Sequence, residues 1–332
     1  MRPKVLLLGQ IEHAVVSWNS LSSVADVVKP TSRNRSEFLA ECKSGVLDDV
    51  VVIYRTFESV DLTGRFDEEL VSSLPGSVRF VCHNGAGYDQ IDVDACSERG
   101  IKVSHAPNAV NDATADAAIF LMLGALRRFN VPMTALRKGH WRGYPPPPLG
   151  HDPQGKTLGI LGMGGIGRNM KKKAEVFGIC VVYHNRNRLS KELAAGAEYV
   201  SFEDLLARSD IISINIPLNV NTRHMISTRE FEQMKDGMVL VNTARGAVID
   251  EGALVKALDS GKVASIGLDV YEQEPSIHWG LKANPNVVLL PHMGTWTVET
   301  QSAMEQQTIG NVRSALETGA LRDLVPEQAR HE

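Results

Sequence analysis

Short apolar runs alternate with amphipathic stretches along most of this chain, and that alternation predicts its elements. In the first hundred residues apolar runs at Lys4 to Leu8, Val50 to Tyr54, Phe80 to His83 and Lys102 to Ser104 read as buried strands. Stretches with helical periodicity lie between them, at Ser36 to Cys42, Asp67 to Leu74 and Asp92 to Arg99. Strands buried on both faces and separated by helices pair in parallel, so the pattern predicts a doubly wound α/β domain. Asn111 to Arg128 then reads as one long helix, with Ala115, Ala118, Ile119, Met122 and Leu126 on its apolar face. Arg137 to Gly155, with prolines 145 to 148, reads as an extended arm. Strands recur at Thr157 to Leu161, Val181 to Tyr183, Glu198 to Val200, Ile211 to Asn215, Val239 to Asn242, Ser265 to Leu268 and Val287 to Leu290. A last helix, Val298 to Leu316, is expected to return to the first domain. The expected division is therefore a discontinuous domain, 1–110 and 298–332, and a second domain, 111–297, that includes the linking helix and arm 111–155.

Within the second pattern the strand from Thr157 runs directly into Gly162-Met163-Gly164-Gly165-Ile166-Gly167, a G-x-G-x-x-G that opens a helix. In that context Gly162 permits the turn, Gly164 lets backbone approach a pyrophosphate, and Gly167 lets helix and strand pack closely. The phosphates would lie at the helix N-terminus, where free N–H groups and the helix dipole favour an anion. A purely structural glycine turn is the alternative.

Composition narrows the class. A chain of 332 residues with 43% hydrophobic content can fill two cores, and a formal charge of -4 with both signs interspersed offers no footprint for nucleic acid or an anionic membrane. Lys171-Lys172-Lys173 reads as a solvated helix face. The apolar start ends at Gly9-Gln10, too soon for a signal or a membrane span, so a cytoplasmic protein is expected. Cys42, Cys82, Cys96 and Cys180 are scattered, which predicts reduced thiols and no metal site.

Three groups suited to carbonyl chemistry follow consecutive strands of the second domain. They are Arg245 in Asn-Thr-Ala-Arg-Gly, Glu274 in Asp-Val-Tyr-Glu-Gln-Glu-Pro, and His292 in Pro-His-Met-Gly. Reducing a 2-keto acid needs a cation for the carboxylate, a proton donor that works near neutral pH, and a group that favours the donor's protonated form. Arginine, histidine and glutamate meet those needs in turn. Singly, each has a plainer alternative: an ion pair, a turn end, a structural histidine. In the first domain, Tyr54-Arg55-Thr56 and His83-Asn84-Gly85-Ala86-Gly87-Tyr88-Asp89 also follow strand ends, where open sheets bind ligands. The glycines of the second turn would present N–H groups to a carboxylate, or simply make a turn.

In this order the motifs resemble the nicotinamide-dependent D-2-hydroxyacid dehydrogenase family over nearly the whole chain, in type nearest the glyoxylate/hydroxypyruvate reductases. The resemblance implies a flavodoxin-like substrate domain and a Rossmann dinucleotide-binding domain with a cleft and hinge between them. It implies Arg245, Glu274 and His292 as the catalytic trio, and backbone at Gly85 and Ala86, with Arg55, at the substrate. It also implies cofactor contacts at Gly162, Gly164, Gly165, Ile166, Gly167, Pro217, Thr222, Thr243, Ala244, Asp269 and Gly294, and a homodimer joined through the long helix and arm. Trp141 matches an aromatic position that reaches towards the neighbouring subunit's site in those reductases, and Trp296 is bulky where small residues are usual. Formate dehydrogenases of the family carry glutamine in place of Glu274, and phosphoglycerate dehydrogenases with a regulatory tail need a further domain. Asp116 stands where the family often has glutamate.

Cofactor choice follows from charge. NAD sites of this architecture place a carboxylate about twenty residues after the first glycine. Here Tyr183-His184-Asn185-Arg186-Asn187-Arg188 supplies two arginines and none, so NADP(H) is expected at Asn185 and Arg186, with NAD tolerated as the alternative. The expected activity is reduction of a glyoxylate- or hydroxypyruvate-type 2-keto acid. The competing readings are a reductase of bulkier acids, of the D-mandelate or sugar-derived type, and a dinucleotide-sensing, corepressor-like binding protein.

Overall fold

The computed structural model describes residues 2–329. Met1 and 330–332, which the sequence pattern assigns to the first domain, lie outside the described residues. The chain forms two compact α/β units: residues 2–110 with 297–329, and Asn111–Trp296. The doubly wound parallel fold expected from the sequence is present in both.

The first unit is a five-stranded parallel sheet of β1 (Lys4–Leu8), β2 (Asp26–Val28), β3 (Val50–Thr56), β4 (Phe80–Asn84) and β5 (Lys102–Ser104), in the order β2-β1-β3-β4-β5. Successive β1 side chains feed opposite layers. Val5 and Leu7 join Trp18, Tyr54, Ile309 and Val312, while Leu6 and Leu8 join Phe38, Phe66, Val81 and Cys96. Two covered faces explain why these strands read as unbroken apolar runs. The helix Val298–Thr318 closes one layer: Thr297 caps it by accepting the Thr300 N–H, and Gly319, at φ 69°, ends it. Inside it, the Glu305 carboxylate accepts the N–H groups of Glu12 and His13 at 2.9 Å and of Ala14 at 2.6 Å, fixing the loop after β1.

The second unit holds β6 (Thr157–Leu161), β7 (Cys180–His184), β8 (Glu198–Tyr199), β9 (Ile211–Ile214), β10 (Met238–Asn242), β11 (Val263–Leu268) and β12 (Val287–Leu289), all parallel, in the order β12-β11-β10-β9-β6-β7-β8. The order reverses between β6 and β9, so the crevice at the sheet's topological switch lies at the C-terminal end of the fingerprint strand. Two expectations are corrected here. The long helix stops at Leu126, Arg128 turns the chain at φ 51°, and a separate helix Asn130–Arg137 follows, with Pro132 tolerated in its first turn. Lys171 is not solvated: it is 4% exposed and its Nζ lies 2.7 Å from Glu175. Asp116 gains a role, since it accepts from Lys173 Nζ at 2.6 Å and so ties the linking helix to the helix Gly165–Glu175.

Among the described residues, Cys42, Cys82 and Cys96 are buried and Cys180 is exposed, none in a disulfide. No group of His, Cys, Asp or Glu that could hold a metal occurs among them, and none of their helices alone is long and apolar enough to cross a membrane.

Candidate active site

The fingerprint turn is built by close approach. Gly162 sits at φ 92°, and a Cβ there would fall 2.8 Å from the carbonyl of Asn215, on the neighbouring strand's exit. A Cβ at Gly167 would fall 2.6 Å from the carbonyl oxygen of Gly162. At Gly164 a Cβ would meet nothing within 4 Å, which leaves open space at the N-terminus of the helix Gly165–Glu175. Gly165 backs onto the side chain of Asn111, and Ile166 is half-buried. Two buried polar atoms that face no partner among the described residues, Asn215 Oδ1 and Thr243 Oγ1, follow β9 and β10. Open backbone at a helix N-terminus, with unsatisfied polar atoms on the adjoining strand exits, suits a dinucleotide.

At the end of β7, Asn185 turns inward and its Oδ1 accepts the Met163 N–H at 2.6 Å, so this side chain also holds the fingerprint turn. Arg186, Asn187 and Arg188 are exposed. Arg188 lies over the Tyr199 ring, 6.0 Å from its centroid, while Tyr199 donates its hydroxyl to the Asn185 carbonyl at 3.1 Å. The stretch from Tyr183 to Arg188 contains no Asp or Glu. In the loop after β9, Thr222 Oγ1 donates to the Pro217 carbonyl at 2.7 Å and accepts the Asn219 N–H at 2.8 Å, closing a compact turn.

The loops after β10, β11 and β12 bring Arg245, Glu274 and His292 together. Asn242 Oδ1 accepts the Ala244 N–H at 3.0 Å and its Nδ2 donates to the Arg245 carbonyl at 2.9 Å, stapling the first loop. Arg245 Nη1 donates to the Ala244 carbonyl at 2.8 Å. Any Cβ at Gly246 would overlap the backbone of Tyr271 and Glu272, so the first two loops are in backbone contact. Glu274 Oε1 accepts the Tyr271 N–H at 2.9 Å, and Oε2 lies 2.8 Å from His292 Nδ1. Burial pulls the Glu274 carboxyl upward, but the hydrogen bond and charge of His292, the Tyr271 N–H and the charge of Arg245 outweigh it and hold the group below the usual carboxylate range.

His292 sits at φ 55°, a left-handed backbone that few side chains adopt without support. Asp269 supplies the support. Its carbonyl accepts the His292 N–H at 2.8 Å, and its carboxylate accepts the N–H groups of Met293 at 2.6 Å and Gly294 at 2.8 Å. Burial raises the Asp269 carboxyl against those two hydrogen bonds. Trp296 follows, its N–H donating to the Met293 carbonyl at 3.0 Å and the residue 65% exposed; Trp141 is exposed on the arm.

In the first unit, Arg55, next to last in β3, is fully buried. It donates to Ser59 Oγ at 3.2 Å and to Gln90 Oε1 at 2.7 Å, lies over the Phe66 ring, and leaves Nη1 without a partner among the described residues. Burial pushes its guanidinium down to about 10. In the turn after β4 the Gly85 N–H donates to the His83 carbonyl at 3.1 Å, and the Gly85 carbonyl accepts from Ala106 at 2.8 Å. Of the expected pair, Gly85 therefore spends its N–H inside the turn. In that turn no hydrogen bond from the N–H groups of Ala86 and its neighbour Gly87 is found among the described residues.

Asn242, Gly246, Tyr271 and the second role of Asp269 were not singled out from sequence. Asn242 and Gly246 flank Arg245 in the quoted motif, and an asparagine and a glycine bracketing an arginine at a strand end is the signal that would have found them.

Residues 119–294 match the family described as D-isomer specific 2-hydroxyacid dehydrogenase, NAD binding domain. The chain is 57% identical over 326 residues to 4-methyl-2-oxopentanoate reductase A of Aspergillus oryzae, covering 98% of each. It is similar to the crystal structure of a glyoxylate reductase from Paecilomyes thermophila, with a TM-score of 0.96, 58% identity and coverage of 98% of this chain and 99% of that one. The holo form of Rhodotorula graminis D-mandelate dehydrogenase gives a TM-score of 0.91 at 32% identity, covering 98% of both.

Proposed function

This chain belongs to the D-isomer specific 2-hydroxyacid dehydrogenase family, oxidoreductases with a nicotinamide dinucleotide cofactor, and we propose that it reduces a 2-keto acid to the D-2-hydroxy acid with NADPH. The observation that carries this reading is the Glu274–His292 pair at 2.8 Å beside Arg245, on the exits of three adjacent strands.

When bound, the reduced nicotinamide supplies the hydride that the carbonyl carbon accepts. His292 gives a proton from Nε2 to the carbonyl oxygen, because Nδ1 is tied to Glu274, and takes it back in the reverse direction. Glu274, ionised throughout the neutral range, pairs with Nδ1 of His292 and so fixes the ring for transfer at Nε2. Arg245 offers its planar fork to the substrate's carboxylate and carbonyl oxygens. Within the first unit, Arg55 and the N–H groups at Ala86 and Gly87 are donors of a kind that suits a carboxylate. Gly162, Gly164 and Gly167 shape the phosphate turn, with Thr243 and Asn215 near the nicotinamide. Preference for NADPH rests on the exposed Arg186 and the missing carboxylate after β7.

A bulkier substrate is the second reading, favoured by the 57% identity to a protein named for a branched six-carbon keto acid. The proposal includes a homodimer. Phe120, Phe129, Met133 and Leu136, exposed on the linking helix and its successor, supply an apolar surface for it.

The test is initial rates of NADPH and NADH oxidation with glyoxylate, hydroxypyruvate, 4-methyl-2-oxopentanoate and phenylglyoxylate. Turnover faster with NADPH supports the reading and ranks the substrates. Tight dinucleotide binding without turnover of any acid would overturn it in favour of a dinucleotide-sensing protein.

A further inference from the structure

Two histidines of the second unit, His224 and His292, have left-handed backbones, at φ 52° and φ 55°. Each is gripped by a glutamate from one short stretch, Tyr271 to Pro275. Glu274 holds His292 at 2.8 Å, and Glu272 Oε1 lies 2.7 Å from His224 Nε2, with Arg223 Nη1 at 3.6 Å from the same oxygen. The second grip has no place in the reaction as written. A non-glycine residue in that backbone region costs free energy unless its surroundings fix it, and such positions gather where geometry serves function.

The surroundings of His224 do fix it. Its N–H donates to the Ala247 carbonyl at 2.8 Å, and two residues on Ile226 donates to Val248 at 3.1 Å, so the loop after β9 is laid along the segment that follows Arg245. Glu272 is seated from the other side, its N–H donating to Glu251 Oε1 at 2.8 Å. Glu251 is 8% exposed and sits in the first turn of the helix Glu251–Asp259. The side-chain pair therefore joins the loop that carries Pro217 and Thr222 to the loop that carries Glu274, whose carboxylate is held by the Tyr271 N–H.

The geometry points to His224 and Glu272 as a pair of positioning residues that couple the dinucleotide-facing loop after β9 to the loop that aims Glu274 at His292. Occupation of one loop is felt as alignment of the other, although neither residue touches the reacting atoms. This rests on the assigned reaction and on the loop after β9 serving the cofactor.

The experiment is a double-mutant cycle with His224→Asn and Glu272→Ala. Asparagine tolerates the left-handed backbone, so the first change removes reach without unseating the loop. For each variant, NADPH affinity is read by fluorescence titration and kcat at saturating NADPH by initial rates. Each single change is expected to weaken NADPH binding about fivefold and to lower kcat about fivefold, with the double variant no worse than the poorer single. Additive losses, loss of only one of the two quantities, or a fall in Tm with both unchanged would overturn the coupling. The affinity cycle needs no turnover and decides the coupling by itself. A wild-type protein that bound NADPH but reduced none of the acids would overturn the assigned reaction alone.

Discussion

The carboxylate of Asp269 holds the N–H of Gly294 at 2.8 Å and that of Met293 at 2.6 Å, and thereby sets the turn from which His292 projects. Asp269 is 1% exposed, so water does not replace it. Asp269→Ala leaves two N–H groups unpaired, of which the buried one at Gly294 costs about 1–3 kcal/mol. It is expected to lower Tm and to cut kcat/KM about a hundredfold through misplacement of the histidine. Thermal unfolding and steady-state rates check both effects, and unchanged kcat/KM in a folded variant would contradict the assigned role.

Glu274 has its carboxyl held below the usual range, so its pairing with His292 stabilises the fold fully above the ordinary carboxylate value and loses that contribution as pH falls through the lowered folded value. The Tm gap between wild type and Glu274→Gln should be widest in the neutral range and close at acid pH. Melting curves from about pH 3 to about pH 8 measure it. A gap that widened on acidification would show that the pair is not ionic in the sense described.

The fingerprint glycines should separate by function. Gly164→Ala adds a methyl where nothing lies within 4 Å, so Tm should hold while NADPH affinity falls about tenfold or more. Gly167→Ala drives a methyl against the Gly162 carbonyl and should cost about 1–3 kcal/mol of stability. Equal effects of the two on Tm would contradict the assignment of Gly164 to the ligand.

Asn185→Asp keeps an acceptor for the Met163 N–H and adds one negative charge at the end of β7. Charge repulsion with a 2′-phosphate should raise the KM for NADPH about tenfold while leaving NADH within a few-fold. Unchanged KM for NADPH would place the 2′-phosphate elsewhere or remove it.

What could be read from the chain is what has a local cause. Buried parallel strands announce themselves as unbroken apolar runs, and the residues at their exits were nameable because the motifs there are contiguous. β2 was missed because Asp26-Val27-Val28 is a three-residue edge strand, mostly exposed, with no pattern of its own. The helix Asn130–Arg137 falls between the expected helix, which ends at Arg128, and the expected arm, which begins at Arg137, because the break at Arg128 is a backbone turn on a residue that does not announce it. The His224–Glu272 contact joins residues 48 apart, and only the order of strands brings them together. Gly85 shows the finer limit: sequence marks a turn rich in N–H groups but not which of them the turn consumes.

Gly246 leaves no space between the arginine loop and the backbone at Tyr271 and Glu272. The wall that carries Arg245 and Glu274 is in that sense a single casting, and a change on one side displaces the other. On the proposed assignment, attempts to retune this protein for acids of another size belong at the exposed Trp296 and Trp141, and not among the residues assigned to the chemistry.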